Sequence, residues 1–219
     1  MAYTTLFLDL DDTLYPPTNG LWNAIGVRMD EFIRLRLGLP QGEISALRRR
    51  YFLEYGTTMR GLQLHHQVDA EDFLEFVHDL PVEQIVLPDP ELQLLLDSLP
   101  QPKFIFTNSN RKHATRVLNA LGITNCIRDV IDITAMEYIS KPDPRAYRQA
   151  LRLAGESDPL ACVYLDDSVR NLAPAHIMGF FTVLVGSHVQ DPVARLAIDR
   201  PHDLRQAMPE LWNHHRLSE

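Results

Sequence analysis

The hydrophobic pattern changes from a short continuous run to a helical spacing early in the chain. Residues 6–8 (LFL) form the run, which is typical of a buried strand. From position 21 to about 39 apolar residues recur every three or four positions, which indicates one face of an amphipathic helix. Three further helices are predicted at 43–55, 62–67 and 70–80. No strand is predicted between the first helix and position 80.

After position 88 short apolar runs alternate with helical segments. Strands are predicted at 103–106, 130–133, 162–165 and 182–185, and helices at 89–99, 111–121, 143–155, 168–179 and 202–212. Such alternation is typical of a doubly wound, mostly parallel sheet. We therefore predict an α/β fold with a Rossmann-like parallel-sheet core, formed by residues 1–13 and 88–219. Residues 14–87 form an all-helical insertion, named here the helical insert.

Composition and charge exclude several classes of protein. The chain has 219 residues, 45% of them hydrophobic, and a formal net charge of −8 without a basic run, so a nucleic-acid polymer is not expected as a partner. No apolar run approaches the roughly 18 residues of a membrane-spanning helix. The two cysteines, Cys126 and Cys162, form no C-x-x-C pair, and no signal peptide is visible at the N-terminus. These features predict a cytoplasmic protein that does not bind a membrane.

Acidic residues crowd the end of the first predicted strand, in residues 9–13 (DLDDT). Because side chains two positions apart on a strand point the same way, Asp9 and Asp11 are expected to face one site. Two close carboxylates repel each other unless a cation lies between them. The pattern therefore allows a metal site, an acid–base pair, or both. The alternative is an acidic turn in which Asp12 caps the following segment.

Polar residues also follow two later strands, and a lysine lies in a loop before a helix. They are Thr107 and Asn108, Asp166 and Asp167, and Lys141. Parallel strands of an open sheet end at the edge where ligands bind, so these side chains are expected near the first acidic cluster. A set of oxygen ligands suits Mg²⁺. The lysine could neutralise a phosphate, or could be exposed beside a turn. Thr107 and Asn108 could donate to a phosphate or cap the next helix.

Four separated motifs resemble those of the haloacid dehalogenase (HAD) superfamily of phosphohydrolases. They are the D-x-D-x-T of residues 9–13, the FTN of 106–108, Lys141, and the LDD of 165–167. Their order and spacing along the chain match that superfamily. The resemblance implies that the helical insert, residues 14–87, is a cap domain.

A second resemblance is to the pyrimidine 5′-nucleotidase branch of that superfamily. It is carried by residues 11–16 (DDTLYP), 55–62 (YGTTMRGL) and 166–171 (DDSVRN). This branch implies nucleoside 5′-monophosphates such as UMP or CMP as substrates. The expected activity is Mg²⁺-dependent hydrolysis of a small phosphate monoester through a phosphoaspartyl intermediate.

The family mechanism, carried over residue by residue, implies a role for each motif. Asp9 would be the nucleophile and Asp11 the acid–base residue. Mg²⁺ would be held by the Asp9 side chain, the Asp11 backbone carbonyl, Asp166 and, directly or through water, Asp167. The transferring phosphoryl group would be bound by Thr107, Asn108 and Lys141.

The helical insert is expected to close over the substrate and to contact the leaving group. Arg60 is the first candidate for that contact, with a surface arginine as the alternative. Tyr15 and His65 are further candidates. Trp22, which has helical spacing with its apolar neighbours, is expected in the core rather than at the substrate.

Several rival functions remain open at this level. A HAD phosphatase acting on another small ester and a phosphomutase share the same chemistry at Asp9 and Asp11. A 2-haloacid dehalogenase is disfavoured by Asp11 and by the Asp166–Asp167 pair. A non-catalytic binding protein is disfavoured because no motif residue is missing. Either a monomer or a homodimer is compatible with the sequence.

Overall fold

Parallel strands form the centre of the protein, in a computed structural model that describes residues 3–187 and 191–212. The described strands are β1 (Thr5–Leu8), β2 (Lys103–Phe106), β3 (Asp129–Ile131), β4 (Cys162–Asp166), β5 (Phe181–Val185) and β6 (Leu196–Ile198). They form one sheet in the order β3-β2-β1-β4-β5-β6, and every neighbouring pair is parallel. The strand order reverses between β1 and β4, and ligands of such sheets bind at this point, beyond the carboxyl ends of the strands.

The predicted fold class is confirmed, with small differences at the strands. β6 was not predicted; it is a three-residue strand at the edge of the sheet, with two of its residues only partly buried. β3 ends at Ile131 rather than at position 133. The backbone leaves the sheet there, since the N–H of Ile133 donates to the carbonyl of Ser109 and not to a neighbouring strand.

Helices of the core connect the strands and cover the sheet. They are α6 (Pro90–Ser98), α7 (Arg111–Leu121), α8 (Pro144–Ala154), α9 (Val169–Met178) and the short α10 (Leu204–Ala207). Side chains of Asp89, Asn110 and Asp143 accept backbone N–H groups at the starts of α6, α7 and α8. Ser168 occupies the corresponding position of α9, but its side chain makes no capping bond. The predicted terminal helix at 202–212 is wrong, because α10 is flanked by 3₁₀ turns.

Between residues 14 and 87 the described chain contains helices and no strand, as predicted. The helices are α1 (Leu21–Leu37), α2 (Gln41–Tyr55), α3 (Thr58–His66), α4 (Ala70–Val77) and α5 (Val82–Ile85). α3 begins four residues earlier than predicted, because Thr57 accepts the N–H of Arg60 and starts the helix. The division of the chain into a core and a cap domain at positions 14 and 87 stays a prediction.

Two close contacts hold the helices of the insert together. Phe32 of α1 packs edge-to-face against Phe73 of α4, with ring centroids 5.1 Å apart. α2 and α3 approach so closely that a Cβ added at Gly61 would lie 2.1 Å from Cγ of Tyr51, whose side chain is 1% exposed. A side chain at position 61 therefore cannot be accommodated without moving one of the two helices.

Within residues 3–187 and 191–212, none of the helices has both the length and the apolar character needed to cross a membrane.

Replacing Gly61 by alanine is expected to destabilise the protein by about 1–3 kcal/mol, because the added methyl group overlaps the Tyr51 ring. The matched control is Gly42→Ala in α2, where an added Cβ meets nothing within 4 Å. That change is expected to be neutral or to stabilise the protein by up to about 1 kcal/mol. Urea unfolding of both variants measures the difference. Equal stability of the two variants would contradict the close approach of α2 and α3.

Candidate active site

A buried lysine joins the ends of the two central strands. Nζ of Lys141 lies 2.6 Å from Oδ1 of Asp9 and 2.9 Å from Oδ2 of Asp166, and it donates to the carbonyl of Phe106 at 2.8 Å. Asp9 directly follows β1, and Asp166 ends β4. The hydroxyl of Tyr164 contacts the same ammonium at 3.0 Å and donates to Asp166. The structure thus brings the first, third and fourth predicted motifs to one point.

Burial makes the charges of this cluster depend on one another. The exposed fractions of Asp9, Lys141 and Asp166 are 7%, 1% and 0%. Burial raises the pKa of Asp9 well above its usual value, and the ammonium of Lys141 opposes that rise. For Lys141, burial alone would lower the pKa, but the charges of Asp166 and Asp9 outweigh it and the pKa is raised. The carboxylate of Asp9 therefore needs a cation beside it to stay ionised.

Three carboxylates are placed to hold a cation. One oxygen each from Asp9, Asp166 and Asp167 lies within 4.8 Å of the other two. The hydroxyl of Thr13 lies 3.0 Å from Oδ2 of Asp9 and 3.3 Å from Oδ1 of Asp167, and it accepts the N–H of Asp167. The amide of Asn171 donates to both oxygens of Asp166 at 3.1 Å. An all-oxygen, carboxylate-rich set fits Mg²⁺ better than a transition metal.

Asp11 lies beside this cluster and is held by three donors. Its Oδ1 accepts from the hydroxyl of Tyr15 and from Nε2 of His113, each at 2.7 Å, and its Oδ2 accepts from the hydroxyl of Ser109 at 2.7 Å. Burial alone would raise the pKa of Asp11, but the charge and hydrogen bond of His113, with the bonds from Tyr15 and Ser109, lower it. His78 stacks on His113 with ring centroids 4.2 Å apart, and burial lowers the pKa of His78 to about 3.

The other predicted phosphate-binding residues lie in the loop after β2. Thr107 is buried, and its hydroxyl oxygen accepts the N–H of Ser109 at 3.0 Å. The side-chain amide of Asn108 is engaged on both sides by the backbone of Lys141, accepting its N–H at 2.8 Å and donating to its carbonyl at 3.1 Å. Asn108 therefore fixes the loop that carries the lysine.

A cavity of about 530 Å³ lies between this edge of the sheet and the helical insert. It is lined on the core side by the predicted motif residues Asp9, Asp11, Thr107, Asn108, Lys141 and Asp167. On the insert side its lining includes Trp22, Arg48, Arg49 and Phe52. The volume is that of a small-molecule site.

The three predicted cap contacts do not line this cavity. Arg60 lies in the first turn of α3, outside the lining, and Nε2 of His65 lies 2.6 Å from the hydroxyl of Tyr55 on an exposed surface. Tyr15 is buried in the core and reaches Asp11 instead. Trp22 was expected in the core, and this was wrong, because the residue is 45% exposed and lines the cavity. Helical periodicity separates buried from exposed positions, but it does not show which exposed positions face a site.

Several residues that contact the predicted motifs were not foreseen. They are Ser109, His113, Tyr164 and Asn171. Ser109 directly follows the FTN motif and Tyr164 directly precedes the LDD motif, which was an available signal. Asn171 ends the DDSVRN segment that carries the second resemblance, although no role was assigned to it. His113 lies within helix α7, where one polar residue among others carries no such signal.

The insert also contacts the lysine loop directly. Gly56 follows α2 with φ of 89°, and a Cβ added there would lie 2.9 Å from the carbonyl oxygen of Lys141 and 3.0 Å from Cδ of Pro142. Arg170 of α9 makes a second contact between insert and core, donating to the carbonyls of Phe52 and Leu53 in the last turn of α2. The end of α2 is thus fixed against two parts of the core.

Comparison with known proteins gives a family and a set of similar folds. The sequence model of one protein family, described as haloacid dehalogenase-like hydrolase, matches residues 3–179 of this chain. Phosphate metabolism protein 8 of Saccharomyces cerevisiae is 30% identical over 197 residues, which cover 84% of this chain. The matched region spans only 61% of the length of that yeast protein.

Solved structures with 14–20% identity share the fold. A HAD phosphatase from Thermococcus onnurineus has a TM-score of 0.62 at 18% identity, over 93% of this chain and 96% of that one. Beta-phosphoglucomutase from Clostridium difficile has a TM-score of 0.63 at 20% identity, over 97% and 98%. L-2-haloacid dehalogenase from Xanthobacter autotrophicus has a TM-score of 0.60 at 14% identity, over 93% of this chain and 97% of that one. The names of these three proteins denote different reactions, so the structural similarity supports the fold of this chain but not its reaction.

Replacing Lys141 by methionine is expected to destabilise the metal-free protein by about 3–5 kcal/mol, because two buried carboxylates lose their counter-charge. Added Mg²⁺ should raise the melting temperature of this variant more than that of the unmodified protein, since a cation at the carboxylates replaces the missing charge. Calorimetry with and without Mg²⁺ measures both effects.

The matched control is Lys112→Met, at a side chain that is 73% exposed. Its stability should change by no more than about 0.5 kcal/mol. An equal response of the two variants to Mg²⁺ would contradict the placement of the cation site.

Proposed function

The chain belongs to the haloacid dehalogenase-like hydrolases, and we propose that within this family it is a Mg²⁺-dependent phosphatase of small phosphate monoesters. The observation that carries the proposal is the arrangement of Asp9, Asp11, Lys141 and Asp166 around one edge of the sheet, beside a single cavity. Phosphoryl transfer needs alignment and neutralisation of charge, and this arrangement offers both.

Asp9 is the proposed nucleophile. Its carboxylate oxygen forms a bond to phosphorus while the ester P–O bond breaks, which leaves a phosphoaspartyl group. Asp11 gives its proton to the departing oxygen. Asp11 then takes a proton from a water molecule that attacks the phosphoaspartyl group, which releases phosphate and restores both carboxyl groups. Asp9 and Asp11 both line the cavity, which supports their access to substrate.

Mg²⁺ would be held by Asp9, Asp166 and Asp167, whose oxygens already lie close together, and by the backbone carbonyl of Asp11. When bound, it supplies positive charge that offsets the negative charge of the phosphate and of the carboxylates. Asn171 supports this role, because its amide fixes the orientation of Asp166.

Lys141, Thr107 and Asn108 are the proposed ligands of the phosphoryl group. Lys141 lines the cavity although its side chain is only 1% exposed, which supports a contact with a molecule bound there. Thr107 accepts a backbone N–H, which leaves its hydroxyl hydrogen able to donate to a phosphate oxygen. Asn108 lines the cavity while its amide holds the backbone of Lys141 in place.

The proposed substrate is a nucleoside 5′-monophosphate of the UMP or CMP type. The far wall of the cavity supports this, because it carries the aromatic side chains Trp22 and Phe52, which are 45% and 47% exposed, and the exposed Arg49. Flat aromatic rings stack on nucleobases, and an arginine donates to base carbonyls or ribose hydroxyls. The sequence resemblance to pyrimidine 5′-nucleotidases supports the same class. The helical insert would then act as a cap that selects the base.

The direct test is phosphate release from UMP and CMP with Mg²⁺ present. EDTA is expected to stop it, and Asp9→Asn is expected to lower kcat by at least roughly 1,000-fold, because an amide cannot serve as the nucleophile. The control Asp79→Asn changes a carboxylate that is 86% exposed and should keep full activity. Phosphate release by Asp9→Asn at the unmodified rate would refute the mechanism. Chloride release from haloacids without phosphatase activity would refute the reaction.

Selection of the base by the helical insert predicts the behaviour of Trp22→Ala. The loss of stacking should lower kcat/KM for UMP roughly 10-fold, while ribose 5-phosphate, which has no base, should be unaffected. Leu35→Ala, which removes an exposed side chain of the same helix outside the cavity, is the control. If UMP and ribose 5-phosphate lose activity equally, Trp22 does not contact the base.

A further inference from the structure

We propose that His113 is a positioning residue that fixes the carboxyl group of Asp11 so that Oδ2 delivers the proton to the leaving group. The inference rests on the proposed phosphatase reaction and adds a residue to it. His113 lies in α7, the first helix after β2, 102 positions from Asp11 in the sequence, and it does not touch the phosphate-binding residues through any described hydrogen bond.

The hydrogen bonds around Asp11 leave one acceptor position open. A carboxylate oxygen has two lone pairs, so the pair of donors at Oδ1, Tyr15 and His113, occupies that oxygen fully. Oδ2 accepts one bond, from Ser109, and keeps one lone pair. An ionised carboxylate only accepts, so Nε2 of His113 carries the hydrogen in this contact.

The donors at Asp11 lower its pKa, so the group holds a transferable proton at the open position only when the negative charge of a bound phosphate ester lies beside it. When Asp11 is protonated there, the O–H bond at Oδ2 breaks as the ester oxygen takes the hydrogen, and the P–O ester bond breaks with it. The electron pair of the O–H bond stays on Asp11, which returns to the carboxylate form. Asp11 lines the cavity with a side chain that is 10% exposed, so one part of the group is accessible to a substrate while the rest is held.

His113 is itself held rigidly, which a positioning residue requires. Its backbone N–H donates to Oδ1 of Asn110 at the start of α7, and its side chain is 0% exposed. The ring stacks on His78 at an interplanar angle of 17°. Tyr15 lies only four positions after Asp11 and belongs to the same loop. His113 and Ser109 are therefore the contacts that tie Asp11 to the frame of the sheet.

The competing interpretation is that His113 only fills a buried polar position and acts through stability. The two interpretations differ in their dependence on the leaving group. An alkoxide needs a proton as the ester bond breaks, whereas p-nitrophenolate leaves without one. A residue that positions the general acid therefore affects alkyl esters selectively, and a purely structural residue affects both kinds of ester alike.

The experiment compares benzyl phosphate with p-nitrophenyl phosphate, two esters of similar size that do not depend on recognition of a nucleobase. In His113→Leu, kcat/KM for benzyl phosphate is expected to fall roughly 100-fold and that for p-nitrophenyl phosphate by less than about 10-fold. kcat/KM reports every step up to cleavage of the ester bond, so later hydrolysis of the intermediate does not enter. KM is expected to change little, since no phosphate contact is lost.

Two further variants make the result specific. His113→Gln keeps an N–H donor near the position of Nε2 and should restore most of the activity on benzyl phosphate. His202→Leu is the matched control, because it breaks a 3.1 Å contact with Asp89 that lies outside the cavity. It should leave both esters unaffected. If the leucine variant does not fold, His113→Asn, whose amide is too short to reach Asp11, is measured in its place.

Equal losses on the two esters, or no loss on benzyl phosphate, would overturn the role of His113 while leaving the proposed phosphatase function standing. An unmodified protein that hydrolyses neither ester nor UMP with Mg²⁺ would overturn the proposed function itself. The two failures are distinguishable because the second is seen before any variant is made.

Discussion

The contact of the Lys141 ammonium with Asp9 and Asp166 is the interaction on which the site depends. β1 and β4 lie next to each other, and Leu8 pairs with Leu165, so the residues that follow leave the sheet side by side. The buried carboxylates of Asp9 and Asp166 have oxygens within 4.8 Å of each other, and they would repel strongly without a cation beside them. A lysine delivered from a separate loop places a positive charge in contact with both buried acids. The loop after β2 and the start of α8 are then positioned around that lysine.

The same constraint explains how much of the structure the sequence predicted. The positions of the strands and the polar residues at their ends were predictable, because a parallel sheet places all such ends on one edge. Asp9, Lys141 and Asp166 meet there, as the motif spacing indicated. The role of Asn108 was only partly predictable, since its amide binds the backbone of Lys141.

The rest of the site was not predictable, for physical reasons. Trp22 and Arg60 both lie in helices of the insert, and their helical spacing is compatible with either burial or exposure. Which exposed side chains face the sheet is set by how the insert packs on the core, and periodicity contains no information on that. His113 was missed because its contact with Asp11 joins a helix to a strand end far away in sequence. β6 was missed because it is a short edge strand that is only partly buried.

The contact at Gly56 couples movements of the helical insert to movements of the core. Its backbone rests on the carbonyl of Lys141 with no side chain between them, so there is no flexible element to absorb a displacement. Any movement of α2 relative to the sheet must either push the lysine loop or separate from it. A molecule that shifts the insert from within the cavity would thereby alter the position of the Lys141 charge. For the proposed phosphatase function, recognition of the leaving group by the insert and stabilisation of the phosphoryl group by Lys141 would then be coupled through the contact at Gly56.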